Sequence, residues 1–270
     1  IAVNEPEGSS ATSERRSSIN GFNFDLGFTK FMGDNQAKYG FAINGYKTDF
    51  SYFNASKVKV EQVENTTEIA AYIAFTFNVG KFVLEPGLRL QYYASLSAAS
   101  PEPRLAMKYN VTDNFRLKAA GGLYSQNLVS ATSDRDVVNL FYGFLSSPTS
   151  VPSEFVQENG DLKEVNNSLQ KAEHAIFGFE YDLSKNLNLN VEGYYKRFSQ
   201  LTNINRNKKF DDIPENSSEP DELKKSFIIE TGDAYGIDFV LKYDKNDLSL
   251  WGVYSLGKVD RWNGKFSYPP

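Results

Sequence analysis

Apolar and polar positions alternate along most of this chain, and the stretch TTEIAAYIAFTFNVGKFVLEPGLRLQYYAS (residues 66–95) shows the pattern most clearly. Ile69, Ala71, Ile73, Phe75, Phe77 and Val79 fall on one parity, with Glu68, Tyr72, Thr76 and Asn78 on the other. Beyond Gly80, Phe82, Leu84, Pro86, Leu88, Leu90 and Tyr92 oppose Val83, Glu85, Gly87, Arg89, Gln91 and Tyr93. A period of two over this length predicts two strands joined by the tight turn Asn78-Val79-Gly80-Lys81. The same alternation predicts strands near 20–32, 37–50, 66–78, 82–95, 103–110, 114–126, 170–183, 187–199, 232–243 and 247–260.

The connections carry a second regularity. MGDNQA, NVGK, NVTDN, LSKN and DKND hold the Gly, Asn and Asp that hairpin turns demand. They alternate with long polar segments at 51–65, 96–102, 127–169 and 200–231. Tight turns at one end and long loops at the other describe an up-and-down meander, the asymmetry of outer-membrane barrels. Soluble strands usually run about 5–6 residues, whereas these run to roughly a dozen, enough to cross a bilayer at a tilt. One face is greasy and the other admits Glu85, Arg89 and Gln91. In a dry core each such charge would cost several kcal/mol unless paired, so the charged face is read as a wet lumen and the greasy face as lipid-facing. The predicted fold is all-β, an antiparallel up-and-down transmembrane β-barrel.

Composition narrows this without redirecting it. The 270 residues include no cysteine and one histidine, with a formal net charge of −5 and a mean hydropathy of −0.46. The missing cysteines exclude disulfides and thiolate metal sites. The acidic balance offers no basic stripe for nucleic acid. No apolar run reaches the ~20 residues of a spanning helix, which leaves strands as the means of crossing.

EIAAYIAFTF, then FVLEPGLRLQYY, then PEPRLAMKYNVTDNFRLKAAGGLYSQ resembles the barrel of TonB-dependent outer-membrane receptors, and YSLGKVDRWNGKFSYPP is similar to a later stretch of it. These motifs mark strands and include no catalytic signature. The resemblance implies a 22-strand barrel around an N-terminal plug. The roughly ten strands counted here take up under half of that wall. Residues 1–270 are therefore expected to form a single, incomplete barrel segment, with the plug and remaining strands outside the chain. It also implies a bacterial outer-membrane location and import of a nutrient (siderophore, vitamin or glycan) with TonB-derived energy. Implied partners are outer-membrane lipid, the receptor's own plug, the inner-membrane TonB complex and a surface lipoprotein. The alternative is a self-contained small outer-membrane barrel acting as a surface enzyme or adhesin.

Among individual residues, Glu85, Arg89, Arg116, Lys118, Glu192 and Lys196 have lumen parity, as do Glu180, Asp238 and Lys242. They are read either as a substrate path or as wall residues solvated or paired against a plug. His174 shares that parity and, alone of its type, makes a poor metal site. Phe141, Tyr142 and Phe144 in the 127–169 loop are candidate ligand-stacking rings or loop packing. The segment DDIPENSSEPDELKK (211–225) has carboxylates without the regular oxygen spacing or bend glycine of a calcium loop; it reads as a mobile extracellular loop. No nucleophile–base pair, phosphate loop or metal cluster is legible, so no enzyme activity, cofactor or metal is expected.

Overall fold

The structure, a computed structural model, describes residues 16–53, 58–131 and 143–269. In chain order its strands are β1 (Arg16–Met32), β2 (Asn35–Phe53), β3 (Lys59–Val79), β4 (Phe82–Tyr93), β5 (Ala98–Asn110), β6 (Phe115–Gln126), β7 (Leu128–Ala131), β8 (Gly143–Ser146), β9 (Glu154–Val156) and β10 (Leu162–Glu164). They continue as β11 (Gln170–Ser184), β12 (Leu187–Ile204), β13 (Phe227–Lys245), β14 (Leu248–Trp262) and β15 (Ser267–Tyr268). Eleven form one antiparallel meander in the order β1-β2-β3-β4-β5-β6-β11-β12-β13-β14-β15. β7 pairs with β8, and β9 with β10, within the long segment between β6 and β11. All ten expected long strands are present, with the two-residue β15 added at one edge.

Three of the five short turns form where Gly or Asn takes a left-handed backbone. Gly33, Gly80 and Asn246 have φ of 64°, 59° and 51°, a region costly for most side chains and suited to tight hairpins. Two of the expected long loops are shorter than read. β2 and β3 extend to Phe53 and from Lys59, and β5 begins at Ala98. Pro101 and Pro103 made that last segment look like loop. They pair with Leu90 and Leu88 of β4, whereas β6 pairs with β5 only from Arg104 onward. A strand left open on one side is where proline is tolerated.

Register turns the alternation into two continuous faces. One row runs Tyr109–Leu117–Phe179–Val191–Phe239–Tyr254 through β5, β6, β11, β12, β13 and β14. The parallel row of opposite parity runs Lys108–Lys118–Gly178–Glu192–Asp238–Ser255 through the same strands. On the apolar side large groups stand uncovered: Phe177 is 62% exposed and Leu105 53%. A contiguous apolar surface of this extent has to meet something other than water.

That surface also has a height. Toward the short turns, Phe82 stacks on Tyr109 at 4.4 Å, and Phe115 meets Tyr181 edge-on at 5.9 Å. Toward the long loops it ends at Tyr92, Tyr195 and Tyr235. Just beyond them Glu173 faces Arg197, Arg197 faces Asp233, and Tyr195 donates a 2.5 Å hydrogen bond to Asp233. Phe82 and Tyr92 are ten positions apart, about 33 Å along a strand and roughly 25 Å tall at a typical barrel tilt. An apolar band of this height between aromatic rows is the lipid-contact zone of a membrane barrel.

The wall does not close within the described residues. β1 lies at one edge of the sheet and β14–β15 at the other, unpaired with each other. A complete ten-strand barrel would require its first and last strands to hydrogen-bond along their length, and the described strands do not do so.

Candidate functional site: the lumenal face and its loop brace

Near the short-turn end, the polar face of β6, β11 and β12 is tied into one network. Arg116 donates to Glu180 at 3.0 Å and to Asp182 at 2.7 Å, and Lys118 reaches Glu180 at 2.7 Å and Asn190 at 3.2 Å. Asn188 donates to Asp182 at 2.7 Å, and Asn190 to Glu192 at 3.0 Å. Register assembles it, because Arg116 lies opposite Glu180 and Glu180 opposite Asn190. Singly such half-exposed pairs contribute little; together they fix side chains that would otherwise be free.

Higher up, Thr76 donates to Glu85 at 3.1 Å and Arg89 to Gln91 at 2.9 Å. Tyr46 donates to Glu68 at 2.5 Å, and Gln91 to the other Glu68 oxygen at 3.3 Å. Glu102 is 3% exposed and fully engaged: Oε1 accepts from Ser125 N at 2.9 Å and Oγ at 2.6 Å, and Oε2 from Arg104 at 2.7 Å. Lys196 and His174 lie side by side on β12 and β11. Lys196 Nζ sits 5.3 Å from the Tyr194 ring. That ring in turn lies over Gly236, where a Cβ would come within 2.7 Å of Tyr194 Oη and 2.4 Å of Leu256 O. The six lumen-parity candidates thus share one face while falling into separate groups: Arg116, Lys118 and Glu192 in the lower network, Glu85 and Arg89 on β4, Lys196 beside His174.

The long connection after β6 turns back onto this face. β8 packs against β1, β2 and β3, and Leu145, fully buried, joins Phe50, Val60, Val129, Ile204 and Phe227 in one apolar cluster. Buried hydroxyls and amides flank it. Thr48 and Ser146 share a 2.9 Å hydrogen bond, Thr66 donates to Ser146 at 3.1 Å, and Gln62 donates to the carbonyls of Ser146 and Ser147 at 2.8 and 2.9 Å. Asn127 donates to Ser147 Oγ at 3.0 Å. At its ends Phe144 N donates to Ser17 Oγ at 2.9 Å and Phe227 N to Ser150 O at 3.0 Å. This segment therefore spans from β1–β3 to β12–β13 as a brace. Phe144 belongs to it, half-buried in β8; Phe141 and Tyr142 lie outside the described residues. Thr48, Gln62, Thr66, Ser146 and Ser147 escaped the sequence reading because small polar residues advertise no such contact.

The carboxylate-rich segment 211–225 is held rather than loose. Asp212 accepts from Lys225 and from Ser150 Oγ, each at 3.0 Å, and Glu222 pairs with Lys265 at 2.5 Å. Partial burial alone would raise the Asp212 carboxyl, but hydrogen bonds from Lys225 and Ser150 and the nearby lysines outweigh it and hold the group below the usual carboxylate range. A depressed carboxyl contributes stability above its unfolded value and loses it as pH falls through its folded value. Intrinsic amide exchange slows in acid, so the observable in the whole receptor is protection relative to that rate: across 211–225 it should fall on acidification below the ordinary carboxylate range. In Asp212→Asn that segment should exchange faster at neutral pH and change less with acid; an unaltered pH response would show that Asp212 is not the tie.

A two-faced antiparallel wall, with an aromatic-bordered apolar band outside and a charged lattice inside, defines the chain as a membrane-spanning barrel wall. Its sequence matches the family "TonB dependent receptor-like, beta-barrel" over residues 4–268, and the chain belongs to that family, whose members are outer-membrane transporters and receptors rather than enzymes. Among solved structures it is similar to the FrpB iron transporter of Neisseria meningitidis (TM-score 0.57, 13% identity, covering 93% of this chain and 37% of that one). It is similar also to the ferric-catecholate import receptor Fiu of E. coli K12 (0.55, 14%, 94% and 39%) and the alcaligin outer-membrane receptor FauA of Bordetella pertussis (0.53, 14%, 96% and 41%). At these identities the likeness is one of fold. The chain spans between about a third and two fifths of the length of these structures. No curated protein matches it in sequence.

Proposed function

We propose that this chain is the wall and outer-loop portion of an active-transport receptor that imports a nutrient, a siderophore-type iron chelate foremost and a vitamin or glycan as alternatives, with energy from the TonB system. The family match across residues 4–268 carries this reading. Relatives in fold named as iron, catecholate and alcaligin receptors favour a chelate over the other cargoes. In this reading the two open edges pair with further strands of the same barrel. The charged face, with Glu85, Arg89, Arg116, Lys118, Glu192 and Lys196, lines the space around a plug. Cargo is captured at the outer mouth, with Phe141, Tyr142 and Phe144 as its stacking partners, the last of them on the brace, and a surface lipoprotein can dock there. The wall itself stays fixed and performs no chemistry; the moving part is the plug, pulled from the periplasmic side.

The test is uptake in cells. Deleting the whole receptor should abolish accumulation of at least one labelled iron chelate, vitamin or glycan, and loss of the energy coupler should do the same with the receptor present. Uptake that persists without the coupler would mark the barrel as a passive pore.

A further inference from the structure

Among the described residues of the lumenal face, side chains with unused hydrogen-bonding capacity include scattered single residues such as Lys108 and Asp238, and one cluster near the outer mouth. One register row runs Gly87–Arg104–Gly122–His174–Lys196–Ala234 across β4, β5, β6, β11, β12 and β13. Small residues alternate with its polar side chains, and Arg104 lies across Gly122, where a Cβ would come within 2.9 Å of Arg104 Cγ. Tyr124 projects between Arg104 and His174. The guanidinium carbon is 4.5 Å from its ring centroid, and the imidazole stacks at 4.4 Å with 29° between the planes.

Arg104 is neutralised by Glu102, whose two oxygens are both occupied. Nothing does the same for its neighbours. The Lys196 ammonium, the His174 ring nitrogens and the Tyr124 hydroxyl have no hydrogen-bond or ion-pair partner among the described residues, and Lys196 has only the face of Tyr194 beside it. By contrast Arg116 and Lys118 in the lower network are each tied to carboxylates. The height is informative as well. On the lipid side this level carries Tyr195 and, one row further out, the Glu173–Arg197–Asp233 polar border. The group therefore sits where the lumen opens toward the long loops.

We propose that Lys196, His174 and Tyr124 form an anion-recognising shelf at the outer mouth, which takes the carboxylate or phenolate oxygens of a small-molecule cargo. This rests on the importer reading above and narrows its cargo to an anionic one. Lys196 supplies an ammonium without a carboxylate, His174 and Tyr124 supply N–H and O–H donors, and the stacked rings hold those donors in place, so little ordering is left for the binding step.

Whole receptor in detergent should be titrated with citrate as the polycarboxylate probe and 2,3-dihydroxybenzoate as the phenolate probe, with maltose as the uncharged control. At least one anion should bind, more weakly as salt is raised. Lys196→Gln and His174→Gln should each weaken it about tenfold, as expected for one charge-assisted hydrogen bond. Tyr124→Phe should weaken it less, and maltose should respond to none of them. If neither anion binds, or if binding is indifferent to all three substitutions, the shelf does not exist. If Lys196→Gln lowers barrel stability and leaves anion affinity unchanged, the lysine contacts protein, and the proposal falls. Coupler-dependent uptake measured in parallel separates the two readings: uptake with variant-insensitive anion binding removes the shelf alone, and absence of coupled uptake removes the importer.

Discussion

An arginine at Phe75 is expected to lower barrel stability by ~2–4 kcal/mol, whereas an arginine one position later, at Thr76, is expected to be tolerated. The two residues are neighbours on β3 and face opposite media. Phe75 pairs with Ala37 and stacks on Phe77 at 5.7 Å, within the apolar band. A guanidinium there has to be desolvated into hydrocarbon, or drag water and headgroups inward, and no carboxylate on that face is near enough to answer it. Thr76 points into the lumen, where its hydroxyl already donates to Glu85 at 3.1 Å. Arginine at that position finds water and a ready anion. Phe177→Arg, on the far side of the wall and 62% exposed, should behave like Phe75→Arg. The measurement is urea-induced unfolding of the whole receptor in lipid vesicles, followed by its shift in electrophoretic mobility. Equal losses at Phe75 and Thr76 would mean that the two faces meet the same medium, and the membrane assignment would fail.

How far the molecule could be read from its sequence follows from the range of the forces involved. The long strands were legible because alternation is local: each residue of β3 or β12 declares its face by parity, whatever its distant partners do. Their true lengths were less so. Residues 51–53 and 59–65 look like polar loop because, above the lipid band, strands need no apolar face, and only pairing such as Phe53 with Lys59 marks them as sheet. The charged candidates share one face of the sheet, as their parity implies, but parity does not say which of them meet. Arg116 with Glu180, and His174 with Lys196, depend on register across strands, which the turns and a bulge between Phe198 and Leu201 set. The brace was the least legible part. Its contacts join Ser17 to Phe144 and Thr48 to Ser146, far apart in sequence, through residue types equally at home in any surface loop.

That brace leads to the second large effect. Leu145→Ala is expected to cost about 2–5 kcal/mol, the range for removing a buried leucine where the surroundings relax only in part. The loss should be confined to the long-loop end. Leu145 has no exposed surface and belongs to the cluster that joins Phe50 and Val60 of β2 and β3 to Ile204 and Phe227 of β12 and β13. Truncating it leaves a cavity where, among the described residues, these two parts of the wall share a core, while the membrane-embedded halves of the same strands keep their ladders and their lipid. Thr66→Val makes a complementary test. It leaves the apolar cluster intact but removes the hydroxyl that donates to Ser146 at 3.1 Å, at an expected cost of about 1–3 kcal/mol for buried groups left short of a partner. Hydrogen exchange on the whole receptor resolves the location. In both variants amides of β7 and β8, and those of β2 and β3 near Phe50 and Val60, should lose protection. Amides in the lipid-spanning part of β3, around Ile73, should keep theirs. If protection instead falls evenly along every strand, the segment is an integral part of the barrel's cooperative unit, and its description as a separable brace is wrong. If only β7 and β8 respond, the loop rests on the wall without joining its two sides, and the outer mouth must be held by strand pairing alone.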